Sequence, residues 1–137
     1  MIEVWNDFWT VREVQRRPDD IFVFGDNDIR RGRGGQAIIR DCDNTIGIRT
    51  KRLPSMTPGS FYSDTEEQLQ NILDDFLAVA ELNLDHKVWF PANGFGTGRA
   101  RLGITAPRCA ALVEYCTGIL LNEEPAAALA ILKEFKI

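Results

Sequence analysis

A single α/β domain over residues 1–137, with a mixed sheet flanked by helices, is the fold class this sequence predicts. Three observations carry it. Short apolar runs of strand type stand at residues 21–24 and 88–90. Two longer stretches, at residues 64–82 and 106–121, carry apolar residues at helical spacing. A glycine-rich loop follows each of the two strand-like runs.

The elements follow in order. Residues 1–5 form a first strand. Residues 6–20 are polar and mixed and end in a turn signal, Arg16-Arg17-Pro18-Asp19-Asp20. Ile21, Phe22, Val23 and Phe24 make a buried strand that stops at Gly25-Asp26-Asn27. A short helix is expected from Gln36 to about Asp41, and another strand over residues 45–49. Pro54, Pro58 and Gly59 make residues 52–62 a loop. The helix over 64–82 opens on a capping box, Ser63-x-x-Glu66. Its stripe is Leu69, Ile72, Leu73, Phe76, Leu77 and Ala80, and the acids Glu67, Asp74, Asp75 and Glu81 fall on the solvated face. Residues 87–91 are a strand. The helix over 106–121 has Pro107 in its first turn and buries Cys109, Leu112, Val113, Cys116 and Leu120. Residues 126–135 fit a short helix or a loop plus strand equally well.

Composition bounds the function. With 45% hydrophobic and 26% charged residues the chain is not disordered as a whole. No apolar run approaches the roughly 18 residues that span a bilayer. The first nine residues lack a basic region followed by an apolar one, so no secretory leader is expected. Three cysteines, Cys42, Cys109 and Cys116, read as reduced thiols in the cytoplasm. A single histidine, His86, leaves no histidine cluster for a metal, and no cofactor is expected. Its place just before a strand gives it a structural role.

Net charge is −4, which argues against general affinity for nucleic acid. Yet Arg30, Arg31, Arg33, Arg40, Arg49, Lys51 and Arg52 crowd residues 30–52 against only Asp41 and Asp43. A basic region in an acidic chain suits a small anionic ligand better than a long polyanion.

The first glycine loop holds Gly32, Gly34 and Gly35 and opens into the helix beginning at Gln36. The second holds Gly94, Phe95, Gly96, Thr97 and Gly98. Glycines let backbone amides approach phosphate oxygens, and a helix start adds partial positive charge. Neither loop is a P-loop or a Gly-x-Gly-x-x-Gly fingerprint. Two such loops, each after a strand and before a helix, point to one anion-binding cleft.

The residues resemble the macrodomains, which bind ADP-ribose and its derivatives. Asn27, Gly32-Arg33-Gly34-Gly35 and Ala37-Ile38 look like the macrodomain segment of strand, glycine run and helix. Phe90-Pro91 followed by Gly94-Phe95-Gly96-Thr97-Gly98 looks like the later loop. The similarity covers roughly residues 21–120, in a chain shorter than a typical macrodomain. Thr50-Lys51-Arg52-Leu53-Pro54 looks like the branch that releases terminal ADP-ribose from acidic side chains. The resemblance implies a macrodomain-like fold, a small-molecule nucleotide of the ADP-ribose type as ligand, and Lys51 near the anomeric carbon. That branch carries an aspartate where this chain has Ala100, so the resemblance implies binding with weak or absent hydrolysis. The Phe24-Gly25-Asp26-Asn27 segment is also similar to the start of small uncharacterised phage and bacterial proteins.

Candidate roles follow. Lys51 is the candidate catalytic residue, as a nucleophile with a lowered pKa or as a cation beside the ribose. Asp26 and Asn27 either bind ribose or adenine or cap the loop backbone. Phe61, Tyr62 and Phe95 are loop aromatics, any of which suits adenine stacking or the core. Asp64 is a substitute acid or a helix cap, and Trp5, Phe8, Trp9 and Trp89 are core or sheet-face residues. Two alternatives stand beside ADP-ribose binding: an ADP-ribosyl hydrolase acting through Lys51, and a module that binds nucleic acid or protein through its arginines.

Overall fold

The computed structural model describes residues 1–95 and 102–137. Among these, β1 (Glu3–Trp5), β2 (Ile21–Asn27), β3 (Thr45–Lys51) and β4 (Val88–Pro91) form one sheet in the order β1-β4-β2-β3. The helices are α1 (Val11–Gln15), α2 (Glu66–Leu82), α3 (Leu102–Thr105), α4 (Pro107–Asn122) and α5 (Pro125–Glu134). All three strand pairings are parallel, so the expected mixed sheet is a parallel one. β2 and β4 sit side by side at the centre of the sheet, which explains their unbroken apolar runs: both of their faces are covered. Phe22 and Phe24 point to one side of β2 and Val23 to the other.

The larger core lies on the Val23 side, where α2, α4 and α5 pack on the sheet. Leu69, Ile72, Leu73, Phe76, Val79 and Ala80 of α2 are buried there, together with Cys109, Leu112, Val113, Cys116 and Leu120 of α4. Each large apolar side chain buried this way contributes roughly 1.5–3 kcal/mol. The undecided C-terminal stretch is α5, started by Pro125 and held by Ala128, Leu129 and Leu132. The other side is thinner. Trp9, Val14, Phe22, Phe24, Ala37 and Ile39 cluster there, and among the described residues α1 and a 3-10 helix, Gly35–Ile39, contribute to the cluster. The short helix expected from Gln36 is this 3-10 helix.

Several expectations change at this level. The capping box of α2 is Thr65 with Gln68, two residues beyond Ser63 and Glu66. The shift follows from Asp64, whose backbone takes a left-handed φ of 65° and keeps the helix from starting earlier. The Asp64 carboxylate caps a different helix, accepting N–H bonds from Arg108 at 3.0 Å and Cys109 at 2.8 Å at the start of α4. Burial works to raise its pKa, but these bonds outweigh it and hold the carboxyl below its usual range. Asp75 is not on a solvated face: it is buried against Arg49 and Arg30. Phe8 is not a core residue, being 80% exposed. Cys42, Cys109 and Cys116 are free thiols, and among the described residues no helix is long and apolar enough to cross a membrane.

Candidate functional site

The carboxyl ends of β2 and β3 place Asp26, Asn27, Thr50 and Lys51 side by side, with Asp26 paired to Arg49 and Asn27 to Lys51 in register. Ligands of parallel sheets sit at such ends. Asp26 is 3% exposed and accepts from Arg40 at 2.6 Å, Arg30 at 2.9 Å and the Asn27 N–H at 2.8 Å. Burial alone would raise its pKa; the two guanidinium groups and the amide hold it below the ordinary carboxylate value. Arg30 also reaches Asp75, which takes a bidentate pair and an N–H bond from Arg49. Asp26 therefore anchors the loop's arginines, and both its oxygens are engaged.

Asn27 acts on the same loop. Its amide donates to the Arg31 carbonyl at 2.7 Å, and its side-chain oxygen accepts from the Arg31 N–H at 3.4 Å. Arg40 donates to the carbonyls of Gly32 at 2.7 Å and Arg31 at 3.1 Å. With those carbonyls turned to Asn27 and Arg40, the N–H groups of Gly32, Arg33 and Gly34 meet no acceptor among the described residues. Gly32 has φ 97° and a Cβ there would lie 3.1 Å from Pro54, so glycine is required on two counts. Gly34 differs: its backbone is extended and a Cβ would meet nothing within 4 Å.

These residues line a cleft of about 360 Å³, within the range of small-molecule sites. Asn27, Gly32, Gly34, Gly35, Arg31 and Lys51 all face it. Arg31 and Lys51 form no ion pair with a carboxylate of the described residues. The Lys51 ammonium donates to the carbonyls of Pro54 at 3.2 Å and Ser55 at 3.5 Å. Burial lowers its pKa, and the charge of Asp26 offsets part of that shift.

The second loop begins beside the first. Gly94 has φ 71°, and its carbonyl accepts from the Gln36 side chain at 2.8 Å. Phe95 turns inward, edge-on to Phe90 and Phe76, and is 1% exposed, so its ring belongs to the core. Tyr62 is likewise buried, its hydroxyl donating to Asp28. Phe61 is buried but touches the cleft. Gly96, Thr97 and Gly98, and with them Ala100, lie outside the described residues. A second cleft of about 430 Å³ opens across Gly35 and Gln36, and Asp7, Phe8, Trp9, Ile38 and Asn93 line it. Exposed Phe8 makes sense as a wall of that cleft.

A family model matches residues 4–115, the span from β1 into α4 that carries both glycine loops and Lys51. The chain belongs to DUF7831, a family of unknown function. No curated protein and no solved structure matches it. Within this DUF7831 chain, reasoning from sequence missed Gln36 and Arg40, which hold the loops in place. Their signal was position alone, since each stands just past the first glycine run.

Proposed function

We propose that this chain binds ADP-ribose or a related NAD-derived nucleotide, with its phosphates on the first glycine loop. The observation that carries this reading is the cationic cleft. Gly32 and Gly34, whose amides meet no acceptor among the described residues, line it with Arg31 and Lys51, and none of its described lining residues is a carboxylate. Anionic oxygens satisfy such amides and charges together. The neighbouring cleft, with Phe8 and Trp9, suits the base. The arginine cluster supports a small ligand over a polyanion, because Arg30, Arg33, Arg40 and Arg49 are already paired with Asp26, Asp41 and Asp75.

Gly34→Val tests the reading. A Cβ at this cleft-lining position would meet nothing within 4 Å, so the variant is expected to fold with its isopropyl group taking up part of the cleft. Calorimetry should detect ADP-ribose binding to the parent and none to the variant. Equal affinity in both overturns the assignment. Nucleic-acid binding, the alternative, would show a steep loss with salt.

A second reading, hydrolysis of ADP-ribosylated acidic side chains, draws support from the desolvation that lowers the Lys51 pKa, since a neutral amine is the nucleophilic form. Among the described residues the candidate carboxylates are already engaged: Asp26 is held by two arginines, Asp28 accepts from Tyr62 and Asp64 caps α4. General acid–base help is worth roughly 10²–10⁴-fold, so turnover is expected to be weak or absent. Release of ADP-ribose from a modified carrier at ordinary enzymatic rates, abolished by Lys51→Ala, would establish the hydrolase instead.

A further inference from the structure

Gln36 stands on the wall shared by the two clefts. Its side-chain oxygen accepts from the Gly25 N–H at 2.8 Å, at the end of β2. Its side-chain nitrogen donates to the Gly94 carbonyl at 2.8 Å, past the end of β4. Its own carbonyl accepts from Trp9 Nε1 at 3.0 Å. One residue thus ties the first glycine loop to β2, to Gly94 after β4 and to an aromatic wall of the second cleft. The side-chain amide suits this, because it offers an acceptor oxygen and a donor nitrogen on separate atoms at one end. Gly25 is fitted to the arrangement, since a Cβ there would lie 3.3 Å from the Gln36 oxygen.

We infer that Gln36 is a positioning residue that sets the spacing between the first glycine loop and the chain at Asn93 and Gly94, and so selects ligands that occupy both clefts over ligands that fill one. This rests on the proposed reading of the cleft as a nucleotide site. A ligand that reaches across the wall needs both loops at a fixed separation. A ligand held only by the first loop, Arg31 and Lys51 does not.

Two variants and two measurements test the inference. Gln36→Ala removes both side-chain bonds. Gln36→Glu keeps an acceptor for Gly25 and replaces the donor to Gly94 with a carboxylate oxygen, so β2 stays anchored while the tie to the second loop is lost. In the ligand-free protein, amide hydrogen exchange at residues 93–95 should rise at least tenfold in both variants while exchange within α2 is unchanged. Unchanged exchange at 93–95 overturns the tie, whatever the ligand. Calorimetry with ADP-ribose and ribose 5-phosphate then measures selectivity. Both variants should lose about tenfold more affinity for ADP-ribose than for ribose 5-phosphate. Equal losses for the two ligands overturn the selectivity role. If the unaltered protein binds neither compound, the nucleotide reading fails, and the exchange result alone decides whether Gln36 holds the loops.

Discussion

On one face of the sheet, Val23, Ile48, Val88 and Phe90 lie beneath three helices and a continuous apolar core. On the other, Phe22 and Phe24, with Trp5 and Trp89, have among the described residues α1 and the 3-10 helix beside them. The first face is held by apolar area. The second has a smaller apolar cluster and is tied together by individual polar side chains. Asn44 donates to the carbonyls of Val14, Arg17 and Asp20 at 2.9–3.1 Å. Trp9 and Gln36 hold the glycine loop, and Trp89 Nε1 donates to Asp20. Hydrogen bonds fix positions without filling space, whereas close packing fills it. The clefts open beside the parts that are fixed by bonds.

The largest expected effect strikes the polar side. Asp26→Ala leaves Arg40 without its buried carboxylate, and breaking a buried pair costs about 3–5 kcal/mol. Denaturant unfolding measures this, and a loss under 1 kcal/mol would show that water replaces the carboxylate. The same group gives a pH signature. Because its folded pKa lies below the unfolded one, its contribution is full above the ordinary carboxylate value of about 3.9 and is lost as pH falls through the depressed one. Stability of Asp26→Asn should therefore fall less steeply than the parent's below that value.

Leu120→Ala probes the packed side. Leu120 is fully buried, and the truncation should cost about 2–5 kcal/mol of stability. Ligand affinity of the folded fraction should stay within twofold. A matching loss of affinity would mean that the two faces are not separable.

Asn27→Ala gives the smallest effect. Removing its bonds to Arg31 should lower ADP-ribose affinity by about 1–3 kcal/mol. If Asn27 binds the second ribose of ADP-ribose, the loss should be smaller for AMP, which lacks that sugar. The geometry favours shaping of the loop, which predicts equal losses for both. Calorimetry with the two ligands separates them.

Local patterns were legible in the sequence, and distant partners were not. The buried run of β2, the α4 stripe with its two cysteines and the position of the first glycine loop follow from periodicity and turn chemistry within a few residues. Asp75 looked solvated because helical spacing puts it off the α2 stripe; what buries it is Arg49 on β3. Asp64 looked like part of the α2 start, and its N–H partners lie in α4. The helix starts at Thr65 rather than Ser63, with Asp64 in the left-handed region and its carboxylate turned to α4. At the site, the loop glycines and Lys51 were found by type and spacing, but the engagement of Asp26 and Asn27 with the loop depends on Arg40 and Arg31 folding back.

Gly47 on β3 carries a consequence for how sequences of this family diverge. A Cβ built there falls 2.6 Å from that of Asp26, so the carboxylate that gathers Arg30 and Arg40 occupies the space a side chain at 47 would need. The two positions are bound to change together. A DUF7831 relative with any side chain at the equivalent of 47 should lack aspartate at the equivalent of 26, and a lineage that abandons that aspartate is released from glycine at 47. Covariation between these two columns would then record, in the history of the family, when the arginine-gathering carboxylate was gained or lost.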